Sequence, residues 1–283
     1  PVFIFATIAV TAVGLLVGTI EMVWTEKRFR SYGLGQKILF KSLMYLSFVL
    51  GILLVTYPLA ASLEFGVSIT EPAVWEKTKR FFLSLTFLST LVQLSFSLLL
   101  SLLYAAISEN LGHQVLKHLF TGKYHQPRVE QRIFMFLDMK DSTAIAEGLG
   151  HVRYFDLLHR YYEAMSDPII DSQGEVYQYI GDEVVVSWTL ENGLTHANCL
   201  RCFFRLKEAL AEQSDAFRKA YGVAPEFRAG MHEGAVTAGE IGALKKEIVY
   251  TGDVLNTTAR LQSLTREYQT NLLVSGSLRA LFP

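Results

Sequence analysis

Arg132-Ile133-Phe134-Met135-Phe136-Leu137-Asp138-Met139 is an apolar run of strand length that ends on a carboxylate. The next four residues, Lys140-Asp141-Ser142-Thr143, lead into a segment of helical composition that opens Ala144-Ile145-Ala146. A strand that gives way to a helix across so short a turn gathers backbone N–H groups and the positive end of the helix at one place, which suits a phosphate. An Asp at the end of the strand can hold a hard cation through oxygen. It serves as a helix cap equally well.

Three further elements follow in the chain. Gly174 to Trp188 holds two β-rich runs on either side of Gly181-Asp182, so a hairpin is expected with Asp182 at its tip. Taken alone this is an ordinary turn, since Gly and Asp are common turn residues. Pro225 to Gly234 reads as another strand and carries Arg228. Ile248 to Leu261 reads as a strand, a Gly-Asp turn and a helix on which Asn256 and Arg260 stand at i and i+4 and share a face. Such a polar pair fits a surface ion-pair face or a clamp for an oxyanion. Helical stretches are expected over Thr143–Ile170 and from about Gly193 to Ala220.

These motifs in this order resemble the catalytic domain of class III adenylate and guanylate cyclases, over roughly Gln131 to Pro283. The motifs are a strand ending Phe-x-Asp, the Ile-Gly-Asp hairpin, Gly-x-His-x-Gly, and Gly-Asp-x-x-Asn-x-x-Ala-Arg. The resemblance is to bacterial membrane-anchored members. It implies an α+β, ferredoxin-like βαββαβ core. It also implies attack of the ribose 3′ oxygen on the α-phosphate of ATP, with release of pyrophosphate and two divalent cations, Mg²⁺ or Mn²⁺, at each site. On this reading Asp138 and Asp182 hold the metals, with the backbone carbonyl of Met139 as a further ligand. Lys140, Asp141, Ser142 and Thr143 form the phosphate turn, and Arg228 is a phosphate contact. Asn256 and Arg260 orient the ribose and stabilise the α-phosphate. Asp141 departs from the family, which usually has Gly there. The positions that read the base fall on Gln178 and Val249, where many adenylate cyclases have Lys and Asp or Thr. The family shares each site between two chains, so a homodimer is implied. A late phosphate-binding lysine would lie beyond Pro283.

Upstream, the chain changes character. Its apolar residues concentrate before about residue 107, and Val2–Trp24, Ile38–Tyr57 and Phe81–Ile107 each reach the ~20 residues needed to span a bilayer. The expected organisation is a transmembrane anchor over 1–107, a helical linker over 108–130 and a catalytic domain over 131–283. A start on Pro1 and an end on an unfinished pattern suggest a piece of a longer protein. Thr25–Lys37 carries Lys27, Arg28, Arg30 and Lys37 against Glu26, whereas Pro58–Arg80 mixes signs, so the first loop and everything after the third span are expected in the cytoplasm. No chain of ionisable groups crosses these spans, which argues against a pump. In the linker, Val115, Leu116, Leu119 and Phe120 make an apolar stripe that suits pairing across a dimer or plain packing. A net charge of −1 gives no field pointing to nucleic acid. Cys199 and Cys202 share a helix face and lack two further ligands for zinc, so they are read as reduced core residues.

The expected activity is thus a membrane-bound adenylate cyclase. The alternatives are a guanylate or dual-purine cyclase, or a receptor whose cyclase-like domain binds nucleotide without turnover. A diguanylate cyclase is disfavoured, because Ile180-Gly181-Asp182-Glu183-Val184 lacks the paired glycines of that hairpin.

Overall fold

The computed structural model describes residues 11, 15, 19, 32–111, 117, 118, 121–244 and 246–282. The chain divides into two compact units, Pro1–Leu116 and Lys117–Pro283.

In the first unit, three helices follow one another: α1 (Leu34–Phe65), α2 (Pro72–Phe82) and α3 (Leu85–Leu111). The stretches Leu34–Phe65 and Leu85–Ser108 are long and apolar enough to cross a membrane, and few of their residues are buried within the chain. Pro58 would end most helices, yet α1 runs on past it to Phe65 and closes on Gly66 at φ 67°. Tyr57 stacks on Phe81 at 4.1 Å and Lys77 pairs with Glu64 at 2.7 Å, so α2 holds this last part of α1. Most of the loop expected over 58–80 is therefore helix, and the following apolar helix begins at Leu85. The expected first span lies outside the described residues, apart from helical Thr11, Leu15 and Thr19. So do the cationic residues Lys27, Arg28 and Arg30, and the stripe Val115, Leu116, Leu119 and Phe120.

The second unit is built on a six-stranded sheet. Its strands are β1 (Arg128–Met139), β2 (Glu175–Ile180), β3 (Glu183–Thr189), β4 (Phe227–Ile241), β5 (Glu247–Thr251) and β6 (Leu272–Val274). Between β1 and β2 lie α4 (Ser142–Leu149) and α5 (His151–Asp171). Between β3 and β4 lie α6 (Leu190–Leu194), α7 (Asn198–Glu212) and α8 (Ser214–Tyr221); α9 (Asp253–Glu267) follows β5, and α10 (Gly276–Ala280) follows β6. The strand order β2-β3-β1-β4 is antiparallel throughout, which is the expected ferredoxin-like βαββαβ core. The far edge of the long strand β4 is shared: β6 pairs in parallel along Ala229–Met231, and β5 pairs antiparallel along Thr237–Ile241.

The apolar run of β1 is continuous because both faces of the sheet are covered. Ile133, Met135, Leu137 and Met139 point to the side of α5 and α7, where they meet Leu157, Tyr161, Met165, Phe203 and Leu206. Phe134 and Phe136 point to the other side, with Val185, Val236, Tyr250 and Val254. Cys199 and Cys202 are buried in the first of these clusters, and burial pushes their thiols up to about 11 and about 12, so both stay protonated.

α9 crosses β4 at Gly230. A Cβ there would stand 2.3 Å from the Gln262 backbone nitrogen and 2.7 Å from the Thr258 oxygen, so only glycine lets the helix lie this close. The two edges of the sheet also meet. Tyr177 on β2 lies 5.0 Å, ring to ring, from Tyr250 on β5, and its hydroxyl accepts a hydrogen bond from the Tyr250 N–H at 3.3 Å.

Candidate active site

Antiparallel pairing of β1 with both β3 and β4 sets the end of β1 beside the tip of the β2–β3 hairpin. Asp138 is the next-to-last residue of β1, and Asp182 sits at the tip, after Gly181 at φ 66°. Tyr162 on α5 donates to the Gly181 carbonyl and holds the tip in place. The two carboxyl groups lie close enough for Asp182 to act on the ionisation of Asp138. Burial, and then the charge of Asp182, push Asp138 up to about 6. Glu183, next to the tip, is raised by burial and by the same two charges. Asp182 Oδ2 is buried without a hydrogen-bond partner. A buried, unpartnered carboxylate oxygen next to a second carboxylate is costly as it stands. Oxygen donors so placed suit a hard divalent cation, which would satisfy the orphan oxygen and cancel the repulsion.

The turn Lys140–Thr143 adjoins this pair. The Lys140 N–H donates to the Glu226 carbonyl at 2.8 Å, and Lys140 Nζ meets Glu226 Oε2 at 2.7 Å. Asp141 takes a left-handed conformation, φ 55° and ψ 26°. The family's usual glycine is free to adopt this backbone, and Asp is among the side chains that tolerate it best. Ser142 and Thr143 open α4, and Ser142 lies near Tyr154 of α5. Met139 is buried and pairs with Phe227, while Arg228 stands opposite Asp138 in the β1–β4 ladder.

Among the described residues, Asn256 and Arg260 make no hydrogen bond or ion pair with these groups. Both are exposed on α9, whose buried side carries Val254, Thr258 and Thr265. The same helix bears on Asp138 through other residues: the Gln262 side chain and the charge of Arg266 both favour its ionised form. Neither was expected. Their only trace in the sequence is the i+4 step from Thr258 through Gln262 to Arg266. Tyr154, Tyr162 and Glu226 were also unanticipated, because only tertiary packing brings them to the turn or the hairpin tip. Of the base-reading candidates, Gln178 is exposed on β2 beside a bulge in the β2–β3 pairing, and Val249 is half-buried on β5. Each adjoins one tyrosine of the pair that joins the two edge strands.

The catalytic domain of adenylate and guanylate cyclases, as a family, matches residues 124–279. Adenylate cyclase 2 of Rhizobium meliloti (strain 1021) is 38% identical over 172 residues, which cover 61% of this chain and 47% of that protein. Adenylate cyclase 1 of the same strain is 34% identical over 152 residues, covering 52% of this chain and 22% of the relative. The chain thus spans less than half the length of either relative. Among solved structures, a bacterial light-regulated adenylyl cyclase superposes with a TM-score of 0.59 at 21% identity, covering 71% of this chain and 59% of that one, a likeness of fold. With the family domain spanning more than half of its length and the expected core observed, this chain belongs to the class III adenylate and guanylate cyclases.

Proposed function

We propose that this chain is a membrane-anchored adenylate cyclase that converts ATP to 3′,5′-cyclic AMP and pyrophosphate as a homodimer. The observation that carries the reading is the Asp138–Asp182 pair, with its orphaned Asp182 oxygen, set at the turn Lys140–Thr143. Asp138, Asp182 and the Met139 carbonyl would hold two divalent cations, Mg²⁺ or Mn²⁺. When bound, these supply positive charge against the attacking and departing oxygens.

The remaining roles fall to the chain itself. Backbone N–H groups at the start of α4 cradle phosphate, with Lys140 and Arg228 adding charge. Asn256 orients the ribose so that its 3′ oxygen faces the α-phosphorus. Arg260 stabilises the charge that gathers on the α-phosphate as the new bond forms and the bond to the β-phosphate breaks. Because these two side chains are exposed on α9, opposite its buried side, they are placed to serve the site of a second copy, and two copies make two complete sites. The membrane placement rests on the two long apolar helices, with the catalytic unit on the cytoplasmic side, where nucleotide is present.

Adenylate cyclase is favoured by the names of the two bacterial relatives. The second reading, a guanylate or dual-purine cyclase, is favoured by Gln178, which is neutral and whose amide can donate or accept at a purine edge. Purified full-length chain assayed with ATP and GTP under Mg²⁺ and Mn²⁺ separates the readings. Asp138→Ala and Asp182→Ala should each lower turnover about a hundredfold or more, since the cations supply several kcal/mol. Near-normal cyclase activity in either variant, with an unchanged circular dichroism spectrum, would sink the assignment.

A further inference from the structure

On the other side of the Lys140 turn lies a cavity of about 330 Å³ that nothing above uses. Its wall is apolar where Phe203 and Leu210 of α7 meet Phe227, all three buried. Its rim carries Lys207, Arg218 and Glu226. Glu226 is already paired with Lys140 at 2.7 Å, so the free balance at the rim is positive. Arg218 pairs with Asp215 at 3.3 Å, and that carboxylate is 96% exposed, which makes it a weak competitor for a ligand. The size is at the small end of ligand sites, and an apolar wall with a few charged groups is their usual make-up.

We propose that this cavity is a regulatory site for a small amphipathic monocarboxylate, such as an aryl-alkanoate, seated with its hydrocarbon against Phe203, Leu210 and Phe227 and its carboxylate between Lys207 and Arg218. A nucleoside triphosphate is a poor fit, because the space is small and Glu226 faces it. The cavity wall and the Lys140 turn are joined by hydrogen bonds and strand pairing. Glu226 holds Lys140 through both its backbone carbonyl and its side chain, Phe227 pairs with Met139, and Arg228 pairs with Asp138. Charge brought to Lys207 therefore acts on the group that restrains Lys140. The binding claim stands alone; its effect on turnover rests on the cyclase reading.

The test uses the full chain in lipid nanodiscs, with empty discs subtracted, titrated calorimetrically with 4-phenylbutyrate and with the neutral 4-phenylbutanol. One saturable site per chain is expected, with the alcohol about tenfold weaker or worse. Lys207→Glu combined with Arg218→Glu should weaken carboxylate binding by about tenfold or more, and Leu210→Trp, which fills the cavity, should abolish it. The charge pair is exposed, so its reversal reads the site even where Leu210→Trp folds poorly. No saturable binding up to about 10 mM, or binding that the charge reversal leaves undiminished, overturns the site. Saturating 4-phenylbutyrate should shift KM for ATP by about fivefold in the parent chain and not in the double variant. Binding without that shift overturns the link to Lys140 and upholds the site. Because binding is read without turnover, it stays interpretable even where Asp182→Ala retains full activity and the cyclase reading fails.

Discussion

Asp138 and Asp182 meet before any cation arrives, and that has a thermodynamic signature. Burial, then the charge of Asp182, raise Asp138 from its ordinary 3.8 to about 6. For an acid raised in the folded state, the penalty is fully present above the folded value and is released as pH falls through it. Asp182→Asn should therefore raise the melting temperature of the chelator-treated protein by a few degrees at pH 8, and the gain should shrink as pH falls below about 6. Equal melting temperatures at pH 8 would mean that the two charges do not meet. Base choice is also a matter for single residues. Gln178 carries no charge and Val249 offers no side-chain hydrogen bond. Losing one reading group costs about 1–3 kcal/mol, so measurable GTP turnover is expected and Gln178→Lys should sharpen the preference for ATP. An unchanged ratio of kcat/KM for the two nucleotides in that variant would show that residue 178 does not face the base. Asp138 and Asp182 stood out in the sequence as carboxylates at turns, but their place in one site came only with the family resemblance. Gln262 did not stand out, because it reaches Asp138 only through the packing of α9.

Among the elements, β4 and α9 carry most of the arrangement. β4 pairs with β1 along its length and takes β5 and β6 on its other edge, and α9 lies across it at Gly230. Gly230→Ala would force the helix away from the sheet, since the atoms it would meet are backbone. A loss of about 1–3 kcal/mol of stability is expected, read from a denaturant midpoint, together with lower turnover, because Asn256 and Arg260 ride on the same helix. A variant with normal stability and activity would show that α9 can stand further off. The core strands were readable from composition, as β1 shows: a run that is apolar on both sides must be covered on both sides. The end of α1 was not, because Pro58 normally breaks a helix and only the contacts of α2 with Tyr57 and Glu64 show why it does not here.

At the scale of the molecule, the exposure of Asn256 and Arg260 on α9 leads to the prediction that function belongs to a pair of chains. Asp182→Ala and Arg260→Ala should each be inactive alone. Co-expressed in equal amounts, half of the dimers are mixed and each mixed dimer keeps one intact site of two, so about a quarter of the parental activity should return. No recovery, with mixed dimers shown by pull-down of differently tagged chains, would place every group of a site in one chain. The pairing of chains entered only with the family resemblance, because no residue pattern within a single chain marks which groups will face a second copy.

The contact between Tyr177 and Tyr250 has a consequence beyond the site. An open sheet ends in strands whose unpaired N–H and C=O groups can template the addition of a foreign strand. Here the Tyr250 N–H is already engaged by a phenol from the opposite edge. β2 and β5 thus guard each other: the side chain of one edge strand occupies a docking point on the other, so an incoming strand finds that stretch of the border already taken.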